Sequence, residues 1–257
     1  MIDLAGGSVK QDRDGAQRNN GIPLHHGNMA LPKPVRTETL RQQIAKILQE
    51  AIFTGQLKPG QLLREQALGK QLGVSQATIR EALAHLEQLG LVSKAVNRGT
   101  TVTNLSAREV RERLAVRVAL EELAAAEAAV RMTEQDFDIL VQLAERIARG
   151  IEANLYFETS QADIDFHRFI WEKSGNAILY RTLDQLTTPL FAFLGLLHKL
   201  TAQDQRATKP HSDIIQALRT RDAETVKDAI RGHIRGSYGV FLESDAEDLL
   251  TLVNGLS

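Results

Sequence analysis

The stretch that decides the fold is LLREQALGKQLGVSQATIREALAHLEQLGL, residues 62–91, which reads as two helices joined by a tight turn. The first helix offers Leu63, Ala67 and Leu68 as an apolar set. Gly73 then breaks the helix, Val74 plugs the corner, and the Ser75 hydroxyl is placed to cap the next helix. That second helix is expected over residues 76–89, where Ile79, Ala82, Leu83, Leu86 and Leu89 recur at steps of three and four and form one inward stripe. The opposite face carries Gln76, Thr78 and Arg80 near the N-terminal end, where a DNA-recognition helix meets base edges and phosphates. Two short amphipathic helices joined at a glycine also pack as an ordinary helical hairpin, so this window alone leaves both readings open.

The flanking residues favour the DNA reading. Residues 91–95 and 100–103 are β-prone, and between them Val96-Asn97-Arg98-Gly99 has turn chemistry and a basic tip. Helix, turn, helix and then a hairpin is the order of a winged helix. Upstream, residues 39–54 are amphipathic, with Leu40, Ile44, Ile47, Leu48, Ala51 and Ile52 expected inward as a supporting helix. Before that, residues 1–31 are rich in Gly, Asn, Asp and Gln and read as a mobile extension, with Pro32 and Pro34 marking the domain entry. The His25-His26 pair in that extension reads as surface histidines more readily than as a metal site.

Composition narrows the function classes. A chain of 257 residues can hold one or two domains with real cores. No apolar run reaches eighteen residues and no signal pattern opens the chain, which argues against membrane insertion. The absence of cysteine removes disulfides, thiolate metal ligands and cysteine nucleophiles, and fits a cytoplasmic protein. The net charge of -1 hides an asymmetry. Residues 33–105 carry ten Lys and Arg against five Glu, a net +5, residues 1–32 balance, and residues 106–257 carry -6. A basic module joined to an acidic one is expected when one half meets phosphate.

The acidic half reads as helices throughout. Ser106-Ala107-Arg108-Glu109 is a capping box that opens it. Helical patterns run over 107–131, 134–154, 158–173, 177–199, 207–220, 223–243 and 246–253; Asp222 can cap the sixth, and Pro189 should kink the fourth. Such an antiparallel bundle is a usual place for a ligand cavity. Asp163 and His167 lie four apart on a stripe shared with Phe166 and Ile170, His211 leads Ile214, Ile215 and Leu218, and His233 follows Val226, Ala229 and Ile230. Three imidazoles and a carboxylate on core-facing stripes are costly to bury unless they pair or bind something. Local hydrogen bonding is one solution, and a divalent ion such as Zn²⁺ or Ni²⁺ is the other. Asp165, two residues from His167, falls on the far side of its helix, and His198 reads as a surface histidine or one just outside the cluster.

The chain resembles the GntR superfamily of bacterial transcriptional regulators, in its FadR-like branch with an all-helical FCD effector domain. The resemblance rests on Gly55-Gln56-Leu57-Lys58-Pro59-Gly60, Arg64-Glu65, Leu72-Gly73-Val74-Ser75, Ile79-Arg80-Glu81-Ala82-Leu83, Leu86-Glu87 and Gly90-Leu91-Val92, and it covers all but roughly the first thirty residues. It implies a mostly α protein with three parts. These are a flexible extension at 1–32, a winged helix-turn-helix with a small β-hairpin wing at 33–105, and an antiparallel all-α FCD-like bundle for effector, metal and dimer contacts at 106–257. It is similar to the metal-binding FCD subclass, whose pattern of Asp-x-x-x-His on one helix and one His on each of two later helices falls on Asp163, His167, His211 and His233. It also places an Arg facing the effector cavity at Arg117, whose guanidinium could hold a carboxylate, although pairing with Glu121 on an exposed helix face is an equal alternative.

The resemblance therefore implies a homodimeric, cytoplasmic repressor that binds operator DNA, a divalent metal and a small organic acid, with no membrane partner. A metal-dependent hydrolase and a sensor of the metal itself are the competing readings. The DNA-contacting set would be Arg36, Arg64, Gln66, Ser75, Gln76, Thr78, Arg80, Lys94, Arg98 and Gly99. The family often carries Arg where this chain has Gln66, and Arg-Thr-Pro where it has Gln76-Ala77-Thr78. Gln suits adenine and Arg guanine, so the operator should depart from the common sequence.

Overall fold

The computed structural model describes residues 38–95, 99–201 and 210–242. Arg36, Arg98, the His25-His26 pair and the helix expected at 246–253 lie outside them. Helix α1 (Leu40–Phe53) opens with a reciprocal cap: the Gln42 amide N–H donates to Thr39 Oγ1 at 3.3 Å, and Gln42 Oε1 accepts from the Thr39 amide at 2.9 Å. It buries Ile44, Leu48, Ile52 and Phe53. Leu40 and Ile47, expected inward, are exposed; seven residues apart, they line a flank turned to solvent, so the buried arc is narrower than the periodicity suggests.

Strand β1 (Leu62–Leu63) precedes helix α2 (Glu65–Leu72), so Leu63 belongs to the sheet and the inward phase of α2 shifts. Ala67 is consequently exposed, and Leu68 and Leu72 pack on the core instead. Gly73 ends α2 in the left-handed region at φ 67°, which costs glycine little. Ser75 caps helix α3 (Gln76–Gln88), accepting from the Thr78 amide at 3.1 Å, and the expected stripe of Ile79, Ala82, Leu83, Leu86 and Leu89 is buried. Strands β2 (Val92–Ala95) and β3 (Gly99–Val102) pair antiparallel with Val92 opposite Val102, and β1 adds to the other edge of β3. The wing is thus a three-stranded sheet, ordered β1-β3-β2, and not a hairpin alone. A two-residue strand has no period from which to read it.

Six helices complete the described residues: α4 (Ala107–Ala129), α5 (Glu134–Glu152), α6 (Tyr156–Lys173), α7 (Ala177–Thr201), α8 (His211–Thr220) and α9 (Ala223–Leu242). The Ser106–Glu109 and Thr133–Asp136 capping boxes start α4 and α5, and Asp222 Oδ2 accepts from the Thr225 amide at 2.8 Å to start α9. Helix α7 runs through Pro189, which cannot donate to the Gln185 carbonyl. Gly90, just after the C-cap of α3 with φ 71°, fits against this point: a Cβ there would lie 2.8 Å from that carbonyl and 3.1 Å from Pro189 Cγ. Helix α9 contains a non-helical residue, Tyr238 (φ -119°, ψ 15°), that the sequence pattern does not foreshadow.

Two apolar clusters hold the structure. One joins α4, α5, α8 and α9 through Leu114, Phe137, Leu140, Leu218 and Ile230. The other begins in the winged helix with Ile44, Ile79 and Leu86 and continues without interruption into Ile164, Trp171, Leu183 and Phe191 of α6 and α7. The end of the wing therefore marks a change of secondary structure and not a gap in packing, so α6 and α7 are shared between the two halves. Among the described residues, no helix is long and apolar enough to cross a membrane.

Candidate functional site

Two sites emerge on this scaffold. On the winged helix, Glu65 at the start of α2 gathers the exposed end of α3: its Oε2 accepts from Arg80 Nη2 at 2.9 Å, Arg80 Nε at 3.2 Å and Gln76 Nε2 at 2.9 Å. The Arg80 hydrogen bond is the chief reason that the Glu65 carboxyl sits below its ordinary range. Arg80 and Gln76 are thus both exposed and held in one register. Arg64, Gln66, Lys94 and Gly99 are exposed, and Lys94 is close enough to act electrostatically on Glu65. Ser75 and Thr78 engage each other, with their hydroxyl oxygens 2.9 Å apart.

In the helical half, α6 contributes Asp163 and His167, α8 begins with His211, and α9 contributes His233. One ligand atom from each comes within 4.8 Å of all the others. Asp163 Oδ1 lies 2.8 Å from His211 Nε2 and 3.5 Å from His167 Nε2. The imidazole centroids of His211 and His233 are 4.5 Å apart, and those of His167 and His233 5.3 Å. Burial would raise the Asp163 carboxyl, but His211, His167 and His233 outweigh it and hold the group well below the usual carboxylate range. Burial, with His211 and His167 adding to it, pushes His233 well below its ordinary value. Asp165, by contrast, lies 3.5 Å from Arg146 and is no part of this set.

The four side chains fit a divalent cation on structural grounds. His167 is fully buried, and its Nε2 has no hydrogen-bond partner among the described residues although it faces the other three side chains. Three imidazole nitrogens and a carboxylate oxygen are borderline ligands of the kind Zn²⁺ and Ni²⁺ accept, and none of them is a thiolate. The adjoining cavity, about 40 Å³, is bordered by Asp163, His211 and His233 together with Ser160, His198 and Ser237.

Arg117 departs from its expected place, and His198 takes the second of the two expected for it, just outside the cluster. His198 is buried and borders this cavity, and burial lowers its pKa; a Pro-containing, strongly apolar helix gives no polar face on which to place it. Arg117 is only 1% exposed and does not border the cavity. Its Nε donates to Glu121 Oε1 at 2.6 Å, and its guanidinium lies 4.6 Å from the Phe191 ring centroid. Pairing with Glu121 occurs, but inside the core and not on an exposed face. Glu121 is the residue that sequence reasoning undervalues: its Oε2 contacts His167 Nδ1 at 2.7 Å. Burial opposes its ionisation, yet Arg117 and then His167 bring its pKa to about 2. The available signal is the spacing of Leu114, Arg117, Glu121, Ala124 and Ala128, which puts the charged pair on an inward stripe.

Known proteins match both halves of the chain. The family model for bacterial regulatory proteins of the gntR family matches residues 40–102, and that for the FCD domain matches residues 112–236. The chain is 27% identical over 207 residues to the probable D-xylose utilization operon transcriptional repressor of Paenarthrobacter nicotinovorans, spanning 80% of this chain and 90% of that protein. It is 29% identical over 215 residues to the Glc operon transcriptional activator of Escherichia coli strain K12, spanning 75% and 85%. The solved structure of E. coli McbR/YncC shares the fold with a TM-score of 0.68 at 24% identity, covering 80% of this chain and 98% of that one. These families and relatives are transcriptional regulators and not enzymes. With a helix-turn-helix domain followed by a helical bundle, each matched by its own family model, the chain belongs to the GntR family of bacterial regulatory proteins, carries an FCD domain, and is a transcriptional regulator.

Proposed function

We propose that this regulator is a homodimeric, cytoplasmic repressor whose helical domain holds one Zn²⁺ or Ni²⁺ on Asp163, His167, His211 and His233, and whose operator affinity responds to a small organic acid bound beside the ion. The observation that carries the reading is the convergence of four ligand atoms within 4.8 Å, one of them a buried imidazole nitrogen with no other partner among the described residues. When bound, the ion supplies a Lewis-acidic anchor for carboxylate oxygens. Ser160, His198 and Ser237 border the same cavity and supply neutral hydrogen-bonding groups to orient an acid there. They take the role that the family resemblance gives Arg117, because its side chain does not border the cavity and its Nε is held by Glu121.

A route from cavity to DNA is supported by packing. Helices α6 and α7 border the cavity and also complete the core of the winged helix, so a shift of either reaches α1 and α3. Dimerisation is supported by α4 and its C-cap residue, where Val116, Leu123 and Val130 recur every seven residues at 48%, 46% and 63% exposure. That seam is symmetric about Leu123 and suits two-fold pairing with a second copy, which would set two recognition helices on two half-sites. The repressor assignment follows the D-xylose operon relative.

A thermal-shift screen of Zn²⁺-loaded protein against sugar acids and di- and tricarboxylates, with and without chelator, tests this reading. Expected is a stabilisation by one acid class that the chelator removes, together with an operator affinity altered by the same acid. Operator binding that answers to Zn²⁺ alone would make the ion itself the signal. Hydrolysis of esters or lactones abolished by His211→Ala would make the chain a hydrolase. Either result overturns the proposal.

A further inference from the structure

We infer that Glu121 is a positioning residue for His167, fixing the imidazole so that Nε2 and its lone pair are presented to the four-residue cluster, and that Arg117 is the cation that fixes Glu121 in turn. The inference rests on the proposed metal site for its use, though not for its geometry.

Proton placement on His167 is set by its neighbour. Glu121 Oε2 lies 2.7 Å from His167 Nδ1, and both side chains are essentially fully buried. Glu121 Oε1 meanwhile accepts from Arg117 Nε, so the carboxylate is acceptor-only on both oxygens. A hydrogen bond to His167 then needs the imidazole proton on Nδ1. The opposite tautomer would set two lone pairs against each other at that distance and would turn an N–H toward His211 and His233. Only the Nδ1–H form leaves the Nε2 lone pair free to ligate a cation.

Arg117 completes the device. It sits one turn before Glu121 on α4, with Phe191 of α7 at 4.6 Å and Tyr238 of α9 at 5.4 Å from its guanidinium carbon. The pair is therefore clamped from two helices beyond its own. An i,i+4 Arg–Glu pair on a surface contributes little, but here both charges are out of water and neither can swing away. The arrangement costs the fold two buried charges, and its gain is a single orientation of His167.

Removing Glu121 alone would strand the Arg117 charge, so the test uses double variants of the full chain. Arg117→Met with Glu121→Met removes both charges and the acceptor, whereas Arg117→Met with Glu121→Gln keeps a neutral acceptor for Nδ1–H. Zn²⁺ affinity, measured by competition with a chelating indicator on folded, metal-stripped protein, is expected to fall roughly 10- to 100-fold in the first variant and to recover most of that loss in the second. Long-range ¹H–¹⁵N spectra of the metal-stripped wild type are expected to show His167 as the Nδ1–H tautomer, and the Met/Met variant to show a mixture. A folded Met/Met variant with wild-type affinity, or a wild-type His167 protonated on Nε2, overturns the inference. A wild type that binds no Zn²⁺ but keeps the Nδ1–H tautomer overturns the metal reading and leaves the positioning role standing, so the two failures separate.

Discussion

Asp163 Oδ1 lies between His211 Nε2 at 2.8 Å and His167 Nε2 at 3.5 Å, with His233 closing the group. Acid should therefore act on the cluster before it acts elsewhere. His233 has a folded value well below the 6.5 it takes when free, because burial disfavours its imidazolium. Its folded state is at full advantage above 6.5 and loses ground as the pH falls through that value. Glu121 has the same sign at lower pH: its contribution is complete above the ordinary 4.5 and is lost as the pH falls toward about 2. Melting of metal-stripped protein between pH 8 and 5 is expected to show a falling Tm below about 6.5, and His233→Leu is expected to flatten that fall. On the DNA face, Arg80→Ala should leave Tm unchanged, since the exposed Glu65 pair contributes little. Operator affinity in an anisotropy titration is expected to drop by about 10- to 100-fold, the worth of one good base contact. The four cluster residues are legible in the sequence because each lies on an inward stripe. Arg117 is harder to place: its spacing with Leu114, Ala124 and Ala128 marks an inward stripe, but an i,i+4 Arg–Glu pair by itself looks the same in sequence whether its face is buried or wet.

Elements are legible in proportion to their length. Long helices and the recognition stripe of α3 follow from apolar spacing, and the starts of α3, α4 and α9 follow from Ser75, Ser106 and Asp222, each of which caps its helix. The two-residue β1 and the break at Tyr238 are fixed by tertiary pairing and packing, which no local pattern carries. Helix α4 shows a related limit. It buries Leu114, Ala124 and Ala128 on one side and exposes Val116 and Leu123 on another, so it has no clean polar face from which to read orientation. Ser75→Ala removes the cap that receives the Thr78 amide and should cost about 1 kcal/mol, read as a lower midpoint in urea denaturation with the same slope.

At the scale of the molecule, the basic half carries the helix-turn-helix and the acidic half brings Asp163, His167, His211 and His233 together. Packing rejoins the halves that charge separates, since the core of the winged helix is completed by Trp171, Leu183 and Phe191. The seat of Gly90 on α7 belongs to the same seam. The exposed seam on α4 gives the assembly a test of its own. Leu123→Asp, at the centre of that seam, is expected to convert a dimer to a monomer by light scattering at micromolar concentration, with its helical circular dichroism unchanged.

Whether Asp163, His167, His211 and His233 together hold one cation is measured most directly by Zn K-edge X-ray absorption on full-length protein reconstituted with one equivalent of Zn²⁺. The expected spectrum has imidazole and oxygen neighbours at about 2.0–2.2 Å with no sulfur, one tightly held ion per chain, and loss of that ion in His211→Ala and His233→Ala. Zinc bound at less than one ion per chain, or retained unchanged by both variants, would contradict it.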